Sequence, residues 1–439
     1  MSIKFRLTVM SFFQFFVWGA WLTTLGTYGF VFKGWSGQEF GAVFSTLGIA
    51  SIVMPALMGI IADRWMNVEK LYGLLHILYG ITLFIIAGTD NPVDFFWILL
   101  VGMCFYMPTI SLSNALSYKI LKDNGYDVVK VFPPIRVWGT IGFIVAMWFT
   151  NLFSDPHSPL AFGIDLGSKV ASVFGNAINA NQFYFAAFGA IALGIYSFTL
   201  PNCPPARLIE KGAPLTRKLG LDAFKLFGEK KMALFFIFSM FLGAALQLTN
   251  MYGDAYLKDF QNVPQYAKSV VVEYSTMIIS ISQISETLFI LTIPFFLKRF
   301  GIKRVILFSM VAWVLRFGFF SLGEPEGFGL VLIIMSNIIY GMAFDFFNIS
   351  GSLFVETTTD SKIRSSAQGL FMMMTNGFGA ILGSSVSGFI IQQYFTVDGL
   401  KDWGGIWMTF AVYALVVAIA FGLLFKHKHN PADVASVTH

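Results

Sequence analysis

The sequence predicts an all-α membrane protein: twelve transmembrane helices in two six-helix bundles, with both termini cytoplasmic. Three observations predict it. First, the 439 residues are 56% hydrophobic and only 12% charged, where an ordinary soluble domain is about a quarter charged. Mean hydropathy is +0.70, more apolar surface than a soluble fold can hide. Second, the apolar residues gather into runs of the length a bilayer-crossing helix needs, about 20 residues. The runs fall at 7–31, 40–62, 71–89, 95–118, 134–153, 182–200, 232–256, 271–297, 305–322, 328–354, 366–393 and 403–425. Strand alternation is missing from them, and lipid satisfies no backbone polar group, so helices are required. Third, most of the 29 Lys and Arg lie in alternate connections, the set that includes both termini. The opposite connections hold only Lys33, Lys169, Lys258, Lys268 and Lys401. By the positive-inside rule both ends are cytoplasmic, and a wrong span count would have scrambled the alternation.

Taken in order, the first span follows Lys4 and Arg6, lacks a small-residue cleavage site and is too long for a signal-peptide core, so it is a retained helix. Spans 2 to 4 are joined by short turns. Span 5 opens on Pro133 and Pro134, which suit a helix start because their missing N–H groups would be unpaired there. A long polar outer connection, 154–181, leads to span 6. The longest cytoplasmic connection follows, 201–231, Pro-rich at its start and basic in its middle, with a short surface helix expected around 219–228. It divides the chain into an N-terminal bundle 1–200, a linker 201–231, a C-terminal bundle 232–426 and a tail 427–439. Spans 7 to 12 repeat the pattern of the first six. In span 11, "NGFGAILGSSVSG" (376–388) spaces small residues for close helix packing.

Ionisable groups inside spans are costly and therefore point to function. Arg136, Glu286, Arg316, Asp345 and His76 are the ones here, while Asp254, Glu273 and Glu356 lie near predicted ends and are expected to be wet. On span 5, Arg136, Thr140 and Phe143 share one helical face. Arg136 either snorkels to the headgroups or faces a cavity, and the inward continuation of the face favours the cavity. On span 7, Gln247 and Asn250 share a face with Asp254 and suit a neutral ligand that both donates and accepts; interhelical amide bonding is the plainer alternative. On span 8, Gln283 and Glu286 lie near mid-membrane, as cavity groups or as hydrogen-bonding links between packed helices. On span 10, Tyr340 and Phe344 stack on one face with Asp345 at its border. Phe344 and Phe346 flank Asp345, and poor solvation disfavours its charged form, as a proton-coupling carboxyl requires; the alternative is an ion pair with Arg316. Gln14, Trp18 and Trp21 on span 1 read as packing residues ahead of cavity residues, and His76 as a satisfied polar group ahead of a proton relay.

Other functions are disfavoured. The chain has no phosphate-cradling loop and no metal-ligand cluster, so neither an ATP-driven pump nor an enzyme is expected, and no cofactor. Cys104 and Cys203 support neither a disulfide framework nor a metal site. The net charge of +5 is topological and implies no nucleic-acid partner. The partners expected are the lipid bilayer, a small substrate and a proton, with the protein acting as a monomer.

The cytoplasmic turn "GIIADRWMNVEK" (59–70) resembles the loop signature of the major facilitator superfamily at Gly59, Asp63 and Arg64, with Lys70 beyond the usual final basic position. A second basic turn, "PFFLKRFGIKR" (294–304), echoes it. "FFQFFVWGAWLTTLGTY", "FPPIRVWGTIGF", "SMFLGAALQLTNM", "SQISETLFILTIPFFL" and "YGMAFDFFNISGS" together resemble the bacterial nucleoside:proton symporters of that superfamily, over most of the chain. The outer connection 154–181 departs from the resemblance by its length. The resemblance implies import of purine and pyrimidine nucleosides across the bacterial inner membrane, driven by protons, through alternating access. It carries substrate roles onto Arg136, Thr140, Phe143, Gln247, Asn250, Gln283, Glu286 and Phe344, and places the coupling proton on Asp345 or Glu286. Tyr340 joins them through its stacking face, since a nucleoside calls for aromatic faces, amides and charged hydrogen-bonding groups. The rival expectations are a proton-coupled sugar or polyol carrier of the same superfamily and a nucleoside sensor that binds without translocating.

Overall fold

A computed structural model describes residues 2–154, 180–205, 221–360 and 363–428. Most of the outer connection, the basic middle of the linker and the end of the tail lie outside these residues. The chain divides into two compact units, one of Met1–Trp35 with Ala42–Leu219 and one of Ser36–Gly41 with Gly220–His439.

The first unit is built from α1 (Ile3–Gly19), α2 (Gly37–Arg64) from Ala42 onward, α3 (Val68–Ala87), α4 (Pro92–Asp123), α5 (Val128–Ser154) and α6 (Asn181–Ser197). The first span does not end with α1 but continues through turns into a π-helical stretch, Thr27–Phe32. Asn91 starts α4 by accepting the Val93 N–H at 2.8 Å, with Pro92 at the first helical position. α1 packs on α5, and α3 on α4 and α6. Glycines set these distances: a Cβ on Gly19 would stand 2.6 Å from the Phe143 carbonyl oxygen, and one on Gly194 2.8 Å from that of Gly73.

One expectation at α5 is corrected. The helix begins at Val128, so Pro133 and Pro134 lie inside it rather than at its start. Both prolines are exposed, and near a helix start water can satisfy the carbonyls that they leave unpaired.

The second unit is built from α7 (Lys230–Asp259), α8 (Ser275–Ile290), α9 (Ile293–Ser321), α10 (Gly327–Thr358), α11 (Arg364–Met372), α12 (Ala380–Tyr394) and α13 (Trp403–Leu424). A 3₁₀ segment, Leu221–Gly228, precedes α7, where the sequence suggests a short surface helix. The eighth span passes a turn at Leu291 and runs into α9; Gly301, with φ 76°, then reverses the chain into the ninth. That positive φ is why a glycine stands there. α11 and α12 form one span through a π-helical turn, Met373–Gly379. This span packs closely on α7, where a Cβ on Gly379 would meet the Met240 carbonyl oxygen at 2.6 Å.

Among the described residues, nine helices are long and apolar enough to cross a membrane. The first, sixth and eighth spans are made of shorter pieces, α1, α6 and α8. An antiparallel pair, Thr396–Val397 with Leu400–Lys401, joins α12 to α13. Asp398 and Gly399 turn it with φ of 50° and 82°, the Asp-Gly hairpin signal.

Candidate substrate site

In the first unit α5 carries Arg136, Thr140 and Phe143 along one face, all half-buried. The Arg136 guanidinium carbon lies 4.0 Å from the centre of the Phe15 ring on α1, a cation–π contact. Phe143 meets Trp18 edge-on at 6.5 Å. These contacts depend on α1 and α5 lying close together, which Gly139 and Gly142 permit: a Cβ on Gly139 would come within 2.7 Å of both Arg136 Nη1 and the Phe15 ring.

Behind this face the unit buries a hydrogen-bonded cluster. Gln14, Tyr72, His76 and Tyr106 have no exposed surface. Gln14 Nε2 donates to Thr109 Oγ1 at 3.0 Å, the Tyr72 hydroxyl donates to Gln14 Oε1 at 2.6 Å, and the Tyr106 hydroxyl donates to the Gln14 carbonyl at 2.8 Å. His76 Nε2 is 3.0 Å from Gln14 Oε1. Trp21 donates to the Tyr79 hydroxyl at 2.8 Å. Gln14, Trp21 and His76 are thus interior residues with partners.

In the second unit the candidates stand on α7, α8 and α10. Tyr340 and Phe344 are stacked, ring centres 5.7 Å apart and planes 6° from parallel. Asp345 is 4% exposed and lies within electrostatic reach of half-buried Glu286. Gln247 and Gln283 are buried and Asn250 is half-buried. Among the described residues, Gln247 Oε1, Gln283 Oε1 and Asp345 Oδ2 are buried acceptors without a hydrogen-bond partner. A buried polar atom of this kind calls for a physical explanation, a bound water or ligand among them.

The alternative reading of Asp345, an ion pair with Arg316, is not met, since the Arg316 bonds go to Thr249, Ser282 and the Ser336 carbonyl. Asp254 is not wet: it is 2% exposed and its Oδ1 accepts the Thr276 hydroxyl at 2.8 Å, a donor supplied from α8 that spacing along α7 cannot reveal. Glu356 does sit at a wet end, half-exposed and 3.0 Å from Arg364. Nothing in the periodicity of α1 separates Phe15 from its neighbours. Arg316 is visible in the sequence as a lone charge in an apolar run, but its partners are not.

The chain resembles known proteins over its whole length. The family model described as "Nucleoside H+ symporter" matches residues 1–430. Nucleoside permease NupG of Escherichia coli (strain K12) is 48% identical over 441 residues, covering all of both chains. Xanthosine permease of the same organism is 50% identical over 443 residues, again covering all of both. The crystal structure of nucleoside transporter NupG superposes with a TM-score of 0.85 at 49% identity, covering 98% of this chain and all of that one. A bacterial homologue of the human lysosomal transporter Spinster, at 15% identity and a TM-score of 0.69, covers 96% of each chain and shares the fold.

Proposed function

The chain belongs to the nucleoside H+ symporter family of the major facilitator superfamily, and on that premise we propose that it imports purine and pyrimidine nucleosides together with protons across the bacterial inner membrane. The Lys and Arg distribution supports cytoplasmic termini, and in this reading the protein acts as a monomer.

The observation that carries the substrate reading is the trio of unpartnered acceptors Gln247 Oε1, Gln283 Oε1 and Asp345 Oδ2 in the unit that holds the Tyr340–Phe344 stack. A nucleoside answers both features. Its ribose hydroxyls and base N–H groups are donors, and its flat base stacks on an aromatic face. Asn250 and Glu286 extend the polar set on α7 and α8. In the first unit, Arg136, Thr140 and Phe143 offer a cation, a hydroxyl and a ring; a neutral substrate gains from charge-assisted bonds to the first.

Asp345 and Glu286 are the proton carriers in this reading. Two acids within reach of one another share their titration, so the coupling proton belongs to the pair. Protonation on the outside removes a charge from the loaded protein. Release of substrate and proton inside restores it, and alternating access is coupled to the proton because loaded neutral and empty charged states interconvert differently. The membrane potential contributes about 2.3 kcal/mol per charge per 100 mV, and the proton gradient about 1.4 kcal/mol per pH unit.

Uptake of labelled uridine and adenosine into proteoliposomes under an imposed inward proton gradient tests the proposal. Accumulation that a protonophore abolishes, and that unlabelled nucleosides but not sugars or polyols compete away, is expected. Competition by the sugar panel would make it a sugar or polyol carrier, and binding without accumulation would make it a sensor.

A further inference from the structure

We propose that Arg316 is a positioning residue for the substrate side chains of the second unit, fixing α7, α8 and α10 at one level without touching substrate; this rests on the substrate reading given above. Arg316 stands on α9 and has no exposed surface. Its Nε donates to Thr249 Oγ1 on α7 at 3.2 Å. Its Nη1 donates to Ser282 Oγ on α8 at 3.2 Å and to the Ser336 carbonyl on α10 at 2.7 Å. The Ser336 hydroxyl returns a bond to the Arg316 carbonyl at 2.8 Å, and the Ser282 hydroxyl donates to Asn337 Oδ1 at 2.8 Å.

Each of these partners is next to, or one turn from, a candidate substrate residue. Thr249 adjoins Asn250 and lies two residues past Gln247. Ser282 adjoins Gln283 and precedes Glu286 by four residues. Ser336 precedes Tyr340 by four. Residues four apart sit one above the other on a helix, so fixing one fixes the rotation and height of the next. The guanidinium carbon also lies 4.7 Å from the centre of the Tyr340 ring, which stacks on Phe344, and 5.1 Å from that of Phe320. One planar cation therefore orients the amide helix, the carboxyl helix and the aromatic platform together.

A helix-packing role alone does not call for a charge. Among the described residues Arg316 has no carboxylate partner, and its Nη2 has no hydrogen-bond partner. A buried cation balanced only by a carbonyl, two hydroxyls and ring faces is costly at membrane depth. Apolar packing would hold the helices at lower cost. The feature that arginine adds is its rigid fork of five donors, which reaches several helices at once; lysine, a point charge on a flexible stem, does not.

The test uses the full chain in proteoliposomes, reading KM and maximal rate for uridine per folded protein, with thermal unfolding in detergent alongside. Arg316→Lys, Ser282→Ala and Thr249→Val each break ties while leaving every candidate substrate residue in place. The expected result is a KM raised about tenfold, the scale of one lost hydrogen bond to substrate, with the maximal rate largely kept and Thr249→Ser restoring KM. Unchanged KM in the Ser282→Ala Thr249→Val double variant overturns the proposal, as does a loss of uptake that only follows the loss of folded protein. If Arg316→Lys does not fold, that double variant decides. Gln283→Ala is the control: if it leaves KM unchanged, the substrate reading fails, and if it raises KM while the tie variants do not, only the role of Arg316 fails.

Discussion

His76 Nε2 lies 3.0 Å from Gln14 Oε1, an oxygen that also accepts the Tyr72 hydroxyl, and together these bonds determine the proton on the ring. The Thr109 hydroxyl donates to the Tyr106 carbonyl at 2.6 Å, so Thr109 must accept from the amide nitrogen of Gln14. That turns Gln14 Oε1 toward His76 and Tyr72, and both must donate to it. His76 is therefore the Nε2–H tautomer, and its Nδ1, without a partner among the described residues, is a bare lone pair. His76→Gln should leave the pH profile of uptake unchanged, measured in proteoliposomes. Gln14→Leu, which strands buried donors, should cost about 1–3 kcal/mol, read as a lower unfolding temperature in detergent.

Asp345 separates coupling from translocation. Asp345→Asn removes the titrating group while keeping size and polarity. It should abolish accumulation under a proton gradient yet retain exchange of labelled for unlabelled nucleoside in counterflow. Gradient-driven accumulation by this variant at the parental level would move the proton elsewhere, with Glu286 next in line.

Gly142 tests the α1–α5 contact that sets the Arg136 face. A Cβ there would collide with the Phe12 carbonyl oxygen, which as backbone cannot swing aside. Gly142→Ala should destabilise the protein by about 1–3 kcal/mol, as overpacking does. Yield of monodisperse protein and unfolding temperature report it.

Cys203 should resist thiol reagents. Burial, then the nearby Glu69 carboxylate, pushes its thiol up to about 11. At neutral pH only roughly 10⁻⁴ of it is thiolate, the reactive form. Maleimide labelling of Cys203 in the native protein should be negligible and should rise on unfolding, with Cys203→Ser as the blank. The sign for stability follows: the protonated thiol favours the folded state below its unfolded value, and that contribution is lost as pH rises through about 11.

The sequence made the spans legible because run length is the bilayer's own requirement. The predicted span 232–256 and α7, or 403–425 and α13, differ by a few residues at their ends. It made the candidate residues legible as faces of single helices, Arg136 with Thr140 and Tyr340 with Phe344. Convergence between helices was not legible. The Arg316 partners come from three helices separated by up to 87 residues of chain, from Thr249 to Ser336, and spacing along one helix says nothing of which neighbour supplies a donor. The burial of Asp254 is illegible for the same reason, since Thr276 approaches it from another helix. Prolines mark a helix entrance only when the preceding residues are not helical, and Val128–Phe132 are, so α5 starts ahead of its prolines.

The start of the interdomain connection is fastened to the rest of the first unit. The Cys203 N–H donates to Glu69 Oε2 at 2.9 Å, its carbonyl accepts the Val68 N–H at 3.1 Å, and Asn202 bonds to Asn67. A tug on the connection is therefore delivered to the α2–α3 turn, the turn that carries the superfamily's loop signature, as well as to the end of α6. Glu69→Ala, which removes the acceptor of the Cys203 N–H, would loosen this anchor.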